Sequence, residues 1–128
     1  MGRILVVDDD ELVRISVANL LQALGFTTSE ASDGLEAIRL YQSRHGEFSL
    51  VLMDIVMPNL DGIDASKEIK THDPAVKVVL MSGYSDRPVV EAEADAFLSK
   101  PFTSRELLQT VEKVLLGEAP KFSQAVGH

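Results

Sequence analysis

Cysteine is absent from the 128 residues, which excludes disulfides, thiolate nucleophiles and zinc–thiolate sites. The absence suits a reducing compartment. Basic residues are scarce as well: 12 Lys and Arg stand against 20 Asp and Glu, for a formal net charge of −8. Affinity for nucleic acid comes largely from Lys and Arg on phosphates, so direct nucleic-acid binding by this polypeptide is not expected. No apolar run approaches the roughly 20 residues of a bilayer span, and membrane insertion is not expected either. Met1-Gly2-Arg3 leads straight into a short apolar stretch rather than a signal peptide, so the expected location is cytoplasmic. There is no internal repeat and no low-complexity tract.

What is present has the balance of an ordinary globular domain, 45% hydrophobic and 25% charged, in a length that supports one core. Strand and helix patterns alternate along it. Ile4-Leu5-Val6-Val7 is continuously apolar, as in a strand buried on both faces. Val13, Val17, Leu20, Leu21 and Leu24 follow at helical spacing, and Gly25 supplies a stop. Phe26 to Ser29 reads as a weaker, more polar strand nearer an edge. Ser32-Asp33-Gly34 opens a helix carrying Ala37, Ile38 and Tyr41, and Leu50 to Met53 is a third strand. A short helix follows around Ile63 to Lys70, then strands at Val76 to Met81 and Ala96 to Ser99. The last helix starts with the capping-box spacing Thr103-Ser104-Arg105-Glu106, carries Leu107, Leu108, Val111, Val114 and Leu115, and ends at Gly117. Met53, Met57 and Met81 read as core fillers. This alternation predicts an α/β, doubly wound, five-stranded parallel sheet of flavodoxin-like order 2-1-3-4-5. Residues 1–117 form the domain and 118–128 a short tail.

In such sheets ligands bind outside the carboxyl ends of the strands. Strand one ends at Asp8-Asp9-Asp10, strand three at Asp54, strand four at Ser82-Gly83 and strand five at Lys100-Pro101. All four sets fall at one edge. Asp10 reads as a cap for the first helix. Asp8, Asp9 and Asp54 repel one another by about 4 kcal/mol per pair at roughly 4 Å and an effective dielectric near 20. A hard divalent cation such as Mg²⁺ would offset that. Beside a metal and a lysine, Asp54 becomes a nucleophile able to accept a phosphoryl group in line. Ser82 offers a hydroxyl donor and Lys100 a point charge for phosphoryl oxygens. Taken singly, Ser82 is a turn residue, Lys100 a solvated cation and Phe97 a core aromatic. His45, His72 and His128 are scattered and carry no assignment.

Asp8-Asp9, the stretch Asp54-Ile55-Val56-Met57-Pro58-Asn59-Leu60-Asp61-Gly62, Ser82-Gly83 and Lys100-Pro101-Phe102 together resemble the receiver domain of bacterial response regulators, over residues 3–116. The resemblance implies a phosphoacceptor domain in a two-component, His-to-Asp phosphorelay. It further implies a signalling domain rather than a metabolic enzyme, one that would catalyse its own phosphorylation and dephosphorylation. It implies Asp54 as phosphoacceptor, with Asp9, Asp54 and the Val56 backbone carbonyl on Mg²⁺ and Asp8 assisting through water. Ser82 and Phe97 would be the switch pair, and Lys100–Pro101 a cis bond. The partner would be a histidine kinase or a histidine-phosphotransfer protein. The chain would be a stand-alone receiver or a piece of a hybrid kinase, and a monomer or weak dimer.

Three rivals share parts of the pattern. A haloacid-dehalogenase-like phosphatase needs a second acid two residues past its nucleophile, where this chain has Val56. A flavin site needs hydroxyls and amides after strand one, where this chain has three acids. A pseudo-receiver, binding partners without being phosphorylated, stays open. One departure from the family stands out. The spacing from Ser82 to Lys100 is short by about four residues, or one helical turn. A shortened or disordered fourth helix is therefore expected in Tyr84 to Asp95, with weaker pairing on that face. Val56 cannot orient a water and Tyr84 can shield the site, so slow self-hydrolysis is expected.

Overall fold

The computed structural model describes residues 2–44, 46–83 and 94–117. The segment expected to hold a shortened helix lies mostly outside these residues, as do Tyr84 and the tail from 118. Five parallel strands form one sheet in the order β2-β1-β3-β4-β5. They are β1 (Arg3–Val7), β2 (Thr27–Ala31), β3 (Phe48–Asp54), β4 (Val78–Ser82) and β5 (Ala96–Ser99). The described helices are α1 (Glu11–Ala23), α2 (Gly34–Ser43), α3 (Gly62–His72) and α4 (Ser104–Leu115). The fold is the flavodoxin-like one the alternation predicted.

The two-residue period of a strand divides its apolar residues between two cores. Along β1, Ile4 and Val6 join Val17, Leu21, Leu52, Leu107 and Val111 on the α1/α4 face. Leu5 and Val7 join Tyr41, Met53, Ile63 and Ile69 on the α2/α3 face. All four β1 residues are fully buried, and each such side chain contributes about 1.5–3 kcal/mol. Met53, Met57 and Met81 are all buried.

The helix ends follow local chemistry. Asp10, Asp33, Asp61 and Thr103 cap the four helices with side-chain oxygens. Thr103 and Glu106 complete a reciprocal capping box. Gly25 and Gly117 close α1 and α4 at φ values of 103° and 76°, where a side chain would be strained.

Three strands differ from expectation in their bounds, β3 by starting two residues earlier, at Phe48. Phe26 is not in β2; it is buried in the α1/α4 core, and the strand starts one residue later and ends two residues later than expected. β4 begins at Val78 rather than Val76, because the Val76 N–H is spent on the Asp73 carbonyl in the turn leaving α3. The Val78 N–H then bonds Asp95 Oδ2 at 2.7 Å. Lys70 binds both the Val76 carbonyl and Asp95, pinning the start of β4 to the approach of β5.

Candidate functional site: an acidic pocket at the carboxyl edge

Parallel register carries the polar residues to one edge. Asp8 directly follows β1, Asp54 is the last residue of β3, Ser82 ends β4, and Lys100 directly follows β5. Oxygens of Asp8, Asp9 and Asp54 all lie within 4.8 Å of one another. Asp8 is fully buried, Asp54 nearly so, and Asp9 exposed. Lys100 Nζ lies 2.8 Å from Asp8 Oδ2 and 3.1 Å from Asp54 Oδ2. The other Asp8 oxygen accepts the Asp10 N–H at 2.9 Å, while Asp10 caps α1 through Leu12 and Val13.

The electrostatics are uneven. Burial, then the Asp8 charge, push the Asp54 carboxyl up to about 6 against the opposing pull of Lys100. For Lys100, burial works against the ammonium, but the hydrogen bond to Asp8 and the Asp54 charge outweigh it and raise its pKa. Three carboxylates meet one ammonium in partly dry surroundings. The excess negative charge, the all-oxygen donors and their spacing fit a hard divalent cation such as Mg²⁺.

The remaining predicted residues lie on β4, on β5 and in the segments after β3 and β5. The Ser82 carbonyl accepts the Lys100 N–H at 2.8 Å, which ties the ends of β4 and β5 together. Phe97 stands opposite Leu80 on β5, half-buried against the α2/α3 core. Val56, two residues past Asp54, is 56% exposed. The Lys100–Pro101 peptide is cis.

The structure adds residues whose roles sequence reasoning did not reach. A Cβ on Gly62 would lie 2.1 Å from the Asp54 carbonyl oxygen, and one on Gly34 would lie 2.4 Å from the Leu60 oxygen. The Gly62 N–H also closes the loop on the Ile55 carbonyl at 2.7 Å. Asn59, at φ 70°, donates through Nδ2 to Asp33 Oδ2 at 2.7 Å. The loop after Asp54 is thus clasped at both ends against α2 and α3. A signal existed in the repeated Asp-Gly pair opening both helices. Glycine disfavours a helix, so its use there points to close backbone approach. Arg14 is the other addition, and it donates to the Asp8 carbonyl.

A doubly wound parallel sheet with carboxylates from β1 and β3 facing a lysine after β5 defines a class of small signalling domains. The chain belongs to the response regulator receiver domain family, whose sequence pattern matches residues 4–112. It is 36% identical over 118 residues to the chemotaxis protein CheY of Bacillus subtilis, spanning 88% of this chain and 97% of that protein. It is 35% identical over 116 residues to the sensor kinase CckA of Brucella abortus, spanning 88% of this chain but 12% of the kinase. Among solved structures it resembles the response regulator TrrA of Thermotoga maritima in complex with Mg²⁺-BeF. There the TM-score is 0.81 at 34% identity, over 89% of this chain and 99% of that one. A response regulator receiver domain protein from Clostridium thermocellum gives a TM-score of 0.85 at 27% identity, over 92% and 97%. Among the described residues, no helix is long and apolar enough to cross a membrane.

Proposed function

We propose that this receiver domain, residues 1–117, accepts a phosphoryl group on Asp54 from the phosphohistidine of a histidine kinase or histidine-phosphotransfer protein. The observation that carries the reading is the meeting of Asp8, Asp9, Asp54 and Lys100 at the carboxyl edge of the sheet. An Asp54 carboxylate oxygen attacks phosphorus, and the phosphorus–nitrogen bond breaks with its electron pair leaving on the imidazole. Lys100, already within 3.1 Å of Asp54, supports the charge on the phosphoryl oxygens. Asp9, Asp54 and the Val56 carbonyl would hold Mg²⁺, with Asp8 assisting through water, and the ion would supply charge neutralisation when bound. Ser82 and Phe97 would respond to the added charge of about −1.5 to −2 and so alter partner binding. The same residues would serve autodephosphorylation. The domain would act in the cytoplasm, as a monomer or weak dimer, without direct contact to nucleic acid.

The neighbour TrrA, solved with Mg²⁺-BeF, supports this reading. Incubation with a small-molecule phosphodonor and Mg²⁺ should add one base-labile phosphoryl group, read by intact mass, and Asp54→Asn should abolish it. Modification persisting in that variant would move the acceptor elsewhere. No modification of either form would instead favour a pseudo-receiver that only binds partners.

A further inference from the structure

We infer that Arg14 is a positioning residue that sets the geometry of the acidic pocket by holding the peptide between Asp8 and Asp9. The inference rests on the proposed Mg²⁺ site and deepens it.

Arg14 lies one turn into α1, where its N–H bonds the carbonyl of the cap residue Asp10. Its guanidinium turns back beneath the end of β1. Nη1 donates to the Asp8 carbonyl at 2.9 Å, and Nε donates to Glu30 Oε1 at 3.0 Å. The side chain is 16% exposed, and the planar fork makes its two bonds in a fixed mutual geometry. Glu30 belongs to β2, opposite Val6, so the fork spans α1, β1 and β2.

The carbonyl that Arg14 grips belongs to the peptide that carries the Asp9 nitrogen. Asp8 is held on its other sides by its own N–H to the Ala31 carbonyl, by the Asp10 N–H and by Lys100. Lys100 and Asp10 fix the Asp8 side chain; Arg14 fixes the main chain from which the Asp8 and Asp9 carboxylates both depart. Asp9 is exposed, so the orientation of that peptide governs how it faces the other two acids. Groups that orient metal ligands in this way typically change metal affinity by about 10–100-fold when removed.

A competing view treats the Arg14–Glu30 pair as a surface tie between α1 and β2. The two views differ in sign. Removing a nearby positive charge, with nothing else altered, should tighten binding of a divalent cation; loosening the carboxylates should weaken it. Mg²⁺ binding to the full chain is therefore measured by isothermal titration calorimetry for the wild type, Arg14→Ala, Arg14→Lys, Glu30→Ala and Arg44→Ala. Arg44 is an exposed cation at the far end of α2, paired with Glu47, and controls for loss of charge. The inference expects Arg14→Ala to weaken Mg²⁺ by about 10–100-fold. Arg14→Lys, which keeps one donor but not the fork, should fall between it and the wild type. Glu30→Ala should weaken binding severalfold and Arg44→Ala not at all. If Arg14→Ala fails to fold, Arg14→Lys, which keeps the charge but not the fork, carries the test, because loss of the Glu30 charge by itself also weakens cation binding. Unchanged or tighter binding in the folded Arg14 variants overturns the inference while leaving the proposed site intact. A wild type that binds no Mg²⁺ overturns both.

Discussion

Replacing Asp54 by Asn should stabilise the metal-free protein, by an amount that depends on pH. The Asp54 side chain is 10% exposed, and its carboxyl is raised from 3.8 to about 6, by burial first and by the Asp8 charge second. That shift of about two pH units corresponds to about 3 kcal/mol. Above pH 7 the carboxyl is ionised in both folded and unfolded chains, so folding bears the full cost of burying it. As pH falls through 6 toward 4, the folded chain takes up a proton before the unfolded chain does, and stability recovers. Below pH 4 both are protonated and the cost is gone. Asparagine has the same shape and no charge, so it lacks this cost at every pH. The difference between Asp54→Asn and the wild type should therefore be about 3 kcal/mol at pH 8 in EDTA, roughly 10 °C in Tm. It should shrink steadily between pH 6 and pH 4. Urea unfolding followed by far-UV circular dichroism from pH 4 to 8 measures it directly. Added Mg²⁺ should narrow the gap by stabilising the wild type. A variant no more stable than the wild type at pH 8, or a difference independent of pH, would refute the reasoning.

Three further outcomes follow from particular contacts. Lys100→Met leaves the fully buried Asp8 without its cation and should cost about 3 kcal/mol in urea unfolding, with slower phosphorylation from small donors; stability equal to wild type would show that the pair is not coupled. Gly62→Ala drives a Cβ into the Asp54 carbonyl and should destabilise by about 2 kcal/mol while slowing phosphorylation, whereas Gly46→Ala, with nothing within 4 Å of its Cβ, should slow it not at all. Val56→Asn places a polar group on an exposed position two residues past Asp54, and the phosphorylated form should then decay faster; unchanged or slower decay would count against the reading that Val56 slows self-hydrolysis by its inability to orient a water.

Much of the architecture was legible because its causes are local or periodic. Unbroken apolar runs in β1 and β3 marked strands covered on both faces, and the capping box at Thr103 and the glycines at 25 and 117 marked helix ends. These signals also order the strands, since parallel crossovers leave few alternatives. Placing Asp8, Asp9, Asp54 and Lys100 at one edge needed only that order. The sequence alone thus determined the sheet and which residues could meet.

Tertiary structure decided whatever depended on register or on backbone approach. β2 sits at the sheet edge, where Thr27, Thr28, Ser29 and Glu30 carry little apolar signal, so pairing with β1 sets its bounds and frees Phe26 for the α1/α4 core. β4 starts where Asp95 supplies an acceptor from 17 residues away in sequence. The triplet Asp8-Asp9-Asp10 holds three chemically identical side chains, yet one is buried on Lys100, one is exposed at the pocket and one caps α1. Its place before the first helix singled out Asp10 as the cap; which of Asp8 and Asp9 is buried is decided by the direction in which the chain leaves β1. The same holds for Gly34 and Gly62, whose meaning is a carbonyl oxygen that the folded backbone brings where a methyl would stand. Arg14 is legible in sequence only as one helix residue among others, because its target is a main-chain carbonyl, which every residue carries.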